Sequence, residues 1–213
     1  MNIRIKICGI VHPDDAEAAV GAGADLIGLN FVPGSPRFLS DLGRAAAIAE
    51  RVAGRAERVG VFQNAGTDEI DRVLRRVDLD RLQFHGDETE EEVEEVDLPV
   101  IKAIRGADLV AAEAYPGTML LLDHPTAGGG QGQQWNWSDA AELIEHGHDV
   151  ILAGGLNADN VGGALTDLGE LLPWGVDVAS GVEGEGHRKS LESIGRFVQA
   201  VRAAEGPGKE DEA

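Results

Sequence analysis

The chain has 213 residues, a length that suits one domain with a large core. Its formal net charge of -20 at pH 7 predicts a surface that repels nucleic acid and anionic membranes, so we expect neither as a partner. One cysteine excludes an intramolecular disulfide framework, and no apolar run approaches the ~20 residues of a membrane-spanning helix.

Short apolar segments typical of strands recur eight times, with helical patterns between them. The strands are predicted at 3–8, 26–31, 58–62, 82–84, 100–103, 119–123, 150–153 and 175–179. The clearest helices are predicted at 13–22, 41–53, 67–77, 89–96, 138–146 and 190–204. A doubly wound open sheet has the same alternation, but eight units and the polar or glycine-rich ends of several strands favour closure. We therefore expect an α/β fold, a single-domain (β/α)8 TIM barrel over residues 1–204.

The first predicted strand ends in Cys8, directly before Gly9. Because side chains alternate along a strand, Lys6 and Cys8 share one face, opposite the isoleucines. A nearby ammonium group favours the thiolate, which is the useful base or nucleophile. A lone cysteine is more commonly an inert core residue. The strand-end position nevertheless favours a functional Cys8, because barrels of this kind keep catalytic groups there.

The loop after the second strand contains two prolines and then Arg37. The prolines stiffen this loop and fix the direction of Arg37, whose planar guanidinium matches a carboxylate or a phosphate. A surface arginine paired with a nearby acid is the alternative. We expect Arg37 to bind a ligand.

The fourth strand leads to His85, for which we expect a structural role. Histidine can act in acid–base chemistry or bind metal, but no second histidine, cysteine or carboxylate recurs at metal-ligand spacing. We expect no metal site. The acidic run at 87–92 is interpreted as a solvated helix start and face.

The sixth strand ends in Asp123. Partly apolar surroundings would raise its pKa and suit it to deliver a proton, whereas a helix cap or loop carboxylate is the alternative. The neighbouring His124 is a candidate supporting group. Cys8 and Asp123 could flank a ligand from two sides of the barrel.

Glycine turns follow the last two strands, Gly154-Gly155 after the seventh and Ser180-Gly181 after the eighth. Such turns allow close backbone approach and expose N–H groups, and barrels bind phosphate at this place. Two consecutive glycine turns predict a phosphate site.

Taken in order, these segments resemble the phosphoribosylanthranilate isomerase family, from the first strand to the last helix. The motifs that carry the resemblance are Lys6-Ile7-Cys8-Gly9, Ser35-Pro36-Arg37, Val59-Gly60-Val61-Phe62, Gln83-Phe84-His85-Gly86, Ala153-Gly154-Gly155-Leu156 and the segment 177–183.

The resemblance implies the Amadori rearrangement of N-(5-phosphoribosyl)anthranilate in tryptophan biosynthesis, without a metal or organic cofactor. It implies that Asp123 protonates the furanose ring oxygen and that Cys8 then removes the proton from C2 of the sugar. Arg37 matches the arginine that faces the anthranilate carboxylate. The phosphate turns match Gly154, Gly155, Ser180 and Gly181.

Three positions depart from the family pattern. Gln131 and Asn136 replace residues of the loop after strand six, and Ser190 follows Lys189 where the family has an aspartate. We expect the last change to alter a helix cap and not the chemistry.

Two alternatives remain open from the residues themselves. One is a sugar-phosphate epimerase or synthase on the same barrel, which would need metal ligands or catalytic lysines at the strand ends. The other is a phosphate-binding barrel without turnover.

The setting of the protein is predicted from composition. The acid excess and scarce lysine indicate a halophilic source, with an ordinary acidic protein as the alternative. We expect a cytoplasmic monomer or homodimer that acts on a small-molecule substrate. The acidic tail at 205–213 has no apolar anchor and is expected to be disordered.

Overall fold

The computed structural model describes residues 2–125 and 135–205. Eight parallel strands form one closed barrel in which each strand pairs with the next along the chain and the first pairs with the last. The predicted single-domain (β/α)8 barrel is confirmed. The glycine-rich part of the strand-six loop, including Gln131, and the tail from residue 206 onward lie outside the described residues.

Strand and helix bounds lie close to the predicted ones. The strands are β1 (Arg4–Cys8), β2 (Leu26–Asn30), β3 (Glu57–Phe62), β4 (Arg81–Phe84), β5 (Val100–Arg105), β6 (Met119–Asp123), β7 (Val150–Leu152) and β8 (Gly175–Val178). The helices are α1 (Pro13–Ala22), α2 (Leu42–Arg51), α3 (Thr67–Leu74), α4 (Glu90–Glu94), α5 (Leu109–Glu113), α6 (Ala140–Glu145), α7 (Val161–Thr166) and α8 (Leu191–Ala204). α5 and α7 were not among the predicted helices, because five or six residues are too few to show a helical period.

The apolar side chains form two layers. The larger layer lies between the strands and the helices, and it contains the three isoleucines of the first strand segment, Ile3, Ile5 and Ile7. A smaller cluster fills the barrel interior, with one or two side chains from most strands, such as Leu26 and Ile151. This arrangement confirms the predicted alternation of β1, because Lys6 is fully buried while its isoleucine neighbours face the helices.

Local signals fix where several helices begin. Thr89 and Glu92 form a reciprocal capping box at the start of α4. The hydroxyl of Ser190 accepts a hydrogen bond from Ser193 N at the start of α8, so this departure from the family pattern does supply a helix cap. None of the helices in the described parts of the chain is long and apolar enough to cross a membrane.

Candidate active site

A cavity of about 620 Å³ opens at the carboxyl ends of the strands. Most of the predicted site residues line it: Cys8, Arg37, Asp123, Gly154, Gly155 and Ser180. The remaining one, Gly181, lies behind Ser180, where an added Cβ would overlap the carbonyl oxygen of Leu156 in the neighbouring turn. The barrel therefore brings together residues that are far apart in the sequence.

Cys8 is seated at the end of β1 in a space that its neighbour on β2 leaves open. The two residues are opposite each other in the parallel ladder, and a Cβ on Gly28 would lie 2.7 Å from the sulfur. Gly28 is therefore required for the thiol to occupy this position.

Lys6 favours the Cys8 thiolate as predicted, but burial of the thiol outweighs this effect. Lys6 Nζ donates to Asp177 Oδ1 on β8 at 2.8 Å, so this ammonium group is paired with an adjacent carboxylate. Burial raises the pKa of the Cys8 thiol, and Asp177 adds to that rise, while Lys6 and Lys189 oppose it without reversing it. The free protein thus holds Cys8 as a thiol at neutral pH.

The predicted rise in the pKa of Asp123 is wrong. Burial acts to raise this pKa, but hydrogen bonds from His85 and from the backbone of His124 outweigh it, and the pKa lies below its usual range. His85 Nε2 lies 3.0 Å from Asp123 Oδ2, and His124 N donates to Oδ1 at 2.8 Å. The two histidines together therefore decide the direction of the shift, although burial is the largest single influence.

His85 belongs to the site, although its sequence position suggested only a structural role. It lines the cavity beside Asp123, and its Nδ1 lies 3.0 Å from Gln83 Nε2. If the Gln83 amide donates to Nδ1, Nε2 carries the proton and donates to the carboxylate. The spacing of Gln83 on β4 and His85 directly after it was the available signal, because side chains two residues apart share one face of a strand.

Arg37 is buried and fixed from several directions. Its backbone N–H donates to Ser35 Oγ at 3.2 Å. The aliphatic part of its side chain packs directly against Gly9, where a Cβ added to the glycine would overlap Arg37 Cδ. Its Nε and Nη2 donate to the carboxylate of Glu183 at 2.5 and 2.9 Å. The alternative interpretation of Arg37, an arginine paired with a nearby acid, is therefore correct for one edge of the guanidinium. The Nη1 edge is not used by Glu183 and can meet a second anion.

Sequence reasoning missed the roles of Glu183 and Lys189. The Lys189 ammonium group donates to Glu183 Oε1 at 2.8 Å and to the carbonyl of Ala179 at 2.9 Å. Burial acts to raise the pKa of Glu183, but hydrogen bonds from Arg37 and Lys189 lower it to about 2. Glu183 belongs to a segment that carried the family resemblance and Lys189 precedes the Ser190 departure, yet spacing along the sequence does not show which cation meets which anion.

The glycine turns after β7 and β8 adopt backbone conformations that favour glycine. Gly154 and Gly155 have φ values of 74° and 81°. A Cβ on Gly154 would also lie 2.6 Å from His124 N and 3.1 Å from Asp123 Oδ1. Within the described residues, the N–H groups of Gly154 and Gly155 donate no hydrogen bond to the protein, so they are available to an anion.

Comparison with known proteins identifies the family. The family model described as N-(5'phosphoribosyl)anthranilate (PRA) isomerase matches residues 5–200. The N-(5'-phosphoribosyl)anthranilate isomerase of Myxococcus xanthus is 42% identical over 211 residues, which cover 95% of this chain and 98% of that protein. The chain belongs to the phosphoribosylanthranilate isomerase family. The resemblance inferred from the motifs is confirmed.

Solved members of the phosphoribosylanthranilate isomerase family share the fold. The Thermotoga maritima enzyme has a TM-score of 0.86 and 34% identity, covering 94% of this chain and 99% of that one. Another solved isomerase has a TM-score of 0.83 and 32% identity, covering 94% of this chain and 99% of that one. It is in complex with reduced 1-(o-carboxyphenylamino)-1-deoxyribulose 5-phosphate.

Both tryptophans of the Trp135-Asn136-Trp137 segment form hydrogen bonds to the end of β7. Trp135 Nε1 and Trp137 Nε1 donate to the carbonyl of Ala153 at 3.0 and 2.8 Å. Asn136, the departure from the pattern, donates to Asp139 Oδ1 at 2.6 Å in the turn that precedes α6. This end of the strand-six loop is therefore fixed beside Gly154.

A second cavity of about 450 Å³ lies beside the first, and His85 and Asp123 line both. At its base Lys102 Nζ donates to Glu88 Oε2 at 3.0 Å, and both side chains are buried. The expectation of a fully solvated acidic run is thus wrong for Glu88, which also accepts from Asn64 N and folds the loop after β4 inward. Within the described residues, no group of three or more His, Cys, Asp or Glu side chains could hold a metal ion.

Proposed function

We propose that the cavity at the strand ends isomerises N-(5'-phosphoribosyl)anthranilate, with Asp123 as the general acid and Cys8 as the general base. The observation that carries this proposal is that one cavity contains both groups together with Arg37 and two glycine turns. A substrate with a carboxylate at one end and a phosphate at the other needs an anion site at each end and proton transfer between them. Membership of the isomerase family supports the same reaction.

The reaction needs two proton transfers at the sugar. Asp123 gives a proton to the furanose ring oxygen, the C1–O bond breaks, and the nitrogen lone pair forms a Schiff base. Cys8 then removes the proton from C2, and the electrons form the enolamine that becomes the ketose. The glycine turns bind the phosphate and the free edge of Arg37 binds the anthranilate carboxylate, so C1 and C2 lie between acid and base.

The protonation states of Cys8 and Asp123 in the free site are compatible with this scheme. Cys8 holds its proton and Asp123 has lost its own, because the pKa of the thiol is raised and that of the carboxyl is lowered. The active form has the opposite arrangement but the same number of protons. One proton therefore has to move from the thiol to the carboxylate through the site or the solvent, and no net uptake is needed.

The wider setting is also part of the proposal. The protein acts in tryptophan biosynthesis in the cytoplasm, as a monomer or homodimer, and its acidic surface suits molar salt. The catalytic domain of this proposal is the barrel of residues 1–204. The scarcity of lysine supports the salt proposal, because the chain has only four such residues, Lys6, Lys102, Lys189 and Lys209.

The test follows the fluorescence of phosphoribosylanthranilate in molar potassium chloride with a chelator present. We expect loss of substrate far above the spontaneous rate, and Cys8→Ala and Asp123→Asn should each lower kcat by about 10²-fold or more. Asp80→Asn removes a carboxylate at the opposite end of the barrel, where it pairs with Arg58, and should leave kcat unchanged. A folded wild-type protein without activity would refute the proposal, and activity that requires metal would favour the epimerase alternative.

Substrate deuterated at C2 separates the two roles. Removal of the C2 proton limits the rate in Cys8→Ala, so this variant should show a full primary isotope effect. Ring opening limits the rate in Asp123→Asn, so there the isotope effect should disappear. The reverse pattern would exchange the assigned steps.

A further inference from the structure

Three buried charged side chains form a cluster between the loop after β2 and the turn after β8. We call Arg37, Glu183 and Lys189 the β8 charge cluster. The Arg37 and Glu183 side chains are each 9% exposed and Lys189 is 0% exposed. Together they hold two cations and one anion, which leaves one positive charge beside the cavity. A buried cluster with a net charge is costly unless it meets a counter-ion, so its geometry indicates where an anionic ligand group lies.

The carboxylate of Glu183 determines which edge of Arg37 faces the cavity. A guanidinium has five N–H donors, arranged as two edges that can each bind a carboxylate in a bidentate manner. Glu183 occupies the edge formed by Nε and Nη2. The edge formed by Nη1 and the second Nη2 hydrogen therefore remains for a ligand, and Arg37 lines the cavity.

Lys189 connects this pair to β8. Its ammonium group bridges Glu183 Oε1 and the carbonyl of Ala179, the residue directly before Ser180 in the predicted phosphate turn. A chain of hydrogen bonds thus runs from the turn through Lys189 and Glu183 to Arg37. His187 Nδ1, 3.2 Å from the other oxygen of Glu183, further restricts that carboxylate.

We propose that Glu183, anchored by Lys189, is a positioning residue that aims the free edge of Arg37 and so confers preference for a substrate bearing a carboxylate on its aromatic ring. This inference rests on the proposed function. Glu183 itself faces the guanidinium and not the substrate, so its removal should weaken only recognition of the carboxylate. A merely structural role would weaken binding of the whole ligand.

The test is a binding cycle with two ligands, measured by isothermal titration calorimetry on the full chain. One ligand is reduced 1-(2-carboxyphenylamino)-1-deoxyribulose 5-phosphate, and the other is the same molecule with an unsubstituted phenyl ring. We expect the wild type to prefer the carboxylated ligand by about 10- to 100-fold, the range for a hydrogen-bonded ion pair. Glu183→Gln, which keeps the side-chain shape, should reduce the preference to less than about 3-fold and leave the affinity for the phenyl ligand unchanged.

The variant Lys189→Met provides a second, independent test of the positioning role. It removes the anchor of Glu183 and should also reduce the preference, while Asp80→Asn, which breaks another bidentate arginine–carboxylate pair at the opposite end of the barrel, should leave it unchanged. Thermal melting of each variant confirms that the protein under titration is folded.

The outcomes are distinguishable. An equal loss of affinity for both ligands in Glu183→Gln refutes the positioning role while leaving the proposed function intact. Failure of the folded wild type to bind either ligand refutes the proposed function and the inference together. A preserved preference in both Glu183→Gln and Lys189→Met also overturns the inference.

Discussion

The folding stability of this protein should depend on pH through Glu183, and Glu183→Gln isolates that dependence. Burial disfavours the charged carboxylate, but Arg37 and Lys189 lower its pKa to about 2 from the ordinary value of 4.5. A carboxyl with a lowered folded-state pKa stabilises the fold above the unfolded-state value and loses that effect as pH falls towards the folded-state value. The relevant window therefore runs from about pH 4.5 down to about 2.

The magnitude follows from the same pKa difference. At about 1.4 kcal/mol for each tenfold change in proton affinity, a fall from 4.5 to about 2 corresponds to about 3 kcal/mol at neutral pH. Linkage leaves about 1 kcal/mol of this at pH 3. The Glu183→Gln variant should thus be about 3 kcal/mol less stable than the wild type at pH 7, and the difference should shrink to about 1 kcal/mol at pH 3.

Urea denaturation measures this difference, with tryptophan fluorescence as the signal and molar salt present at every pH. Glu113→Gln changes an exposed glutamate on α5 and serves as the control, with no effect expected at either pH. A difference between Glu183→Gln and wild type that stays constant from pH 7 to about pH 3 would refute the argument, because it would mean that the carboxylate is not stabilised as an anion in the fold.

Two further substitutions test how the site is built. Gly28→Ala places a Cβ 2.7 Å from the Cys8 sulfur, so it should lower kcat about 10-fold or more and reduce stability by about 1 to 3 kcal/mol. Gly21→Ala is the control, because its added Cβ meets no atom within 4 Å and should leave kcat unchanged. Unaltered kinetics in Gly28→Ala would show that catalysis does not depend on this position of the thiol. His85→Phe keeps an aromatic ring but removes the bond to Asp123, so it should lower kcat by about 10-fold and raise the pKa of that carboxyl in a ¹³C NMR titration. If the pKa of Asp123 is the same in His85→Phe and in the wild type, His85 is not the residue that lowers it.

The fold was predictable because its main signals are local. Most strands are short segments rich in apolar residues and bounded by turn residues, a pattern typical of parallel strands buried on both faces, and β1 adds a clear alternation of charged residues with isoleucine. The two unpredicted helices lack such a signal. α7 has two adjacent glycines, Gly162 and Gly163, and α5 contains only five residues. Their helical form comes from packing on the barrel and not from intrinsic propensity.

The positions of the site residues were also predictable, but their protonation was not. Sequence alternation correctly placed Lys6 beside Cys8, yet Lys6 pairs with Asp177, which lies 171 residues away in the chain and acts to raise the pKa of Cys8. The pKa of Asp123 is set in the same way by His85, 38 residues away. A pKa depends on contacts that form only when the barrel closes, so a pattern within one strand cannot supply it.

The acidic surface has a consequence for substrate capture that can be measured. The substrate carries a phosphate and a carboxylate, and it must approach a protein with a net charge of -20. Long-range repulsion slows this encounter, whereas the single excess cation of the β8 charge cluster acts only within the cavity. Screening shortens the range of the repulsion, since the Debye length falls from about 10 Å at 0.1 M salt to about 3 Å at 1 M.

We therefore expect kcat/KM to rise several-fold between about 0.1 and 1 M potassium chloride, with kcat nearly constant. Circular dichroism over the same range separates this effect from a change in folding. If kcat/KM instead falls steadily with salt while the protein stays folded, attraction by Arg37 and its neighbours governs the encounter, and the net charge does not.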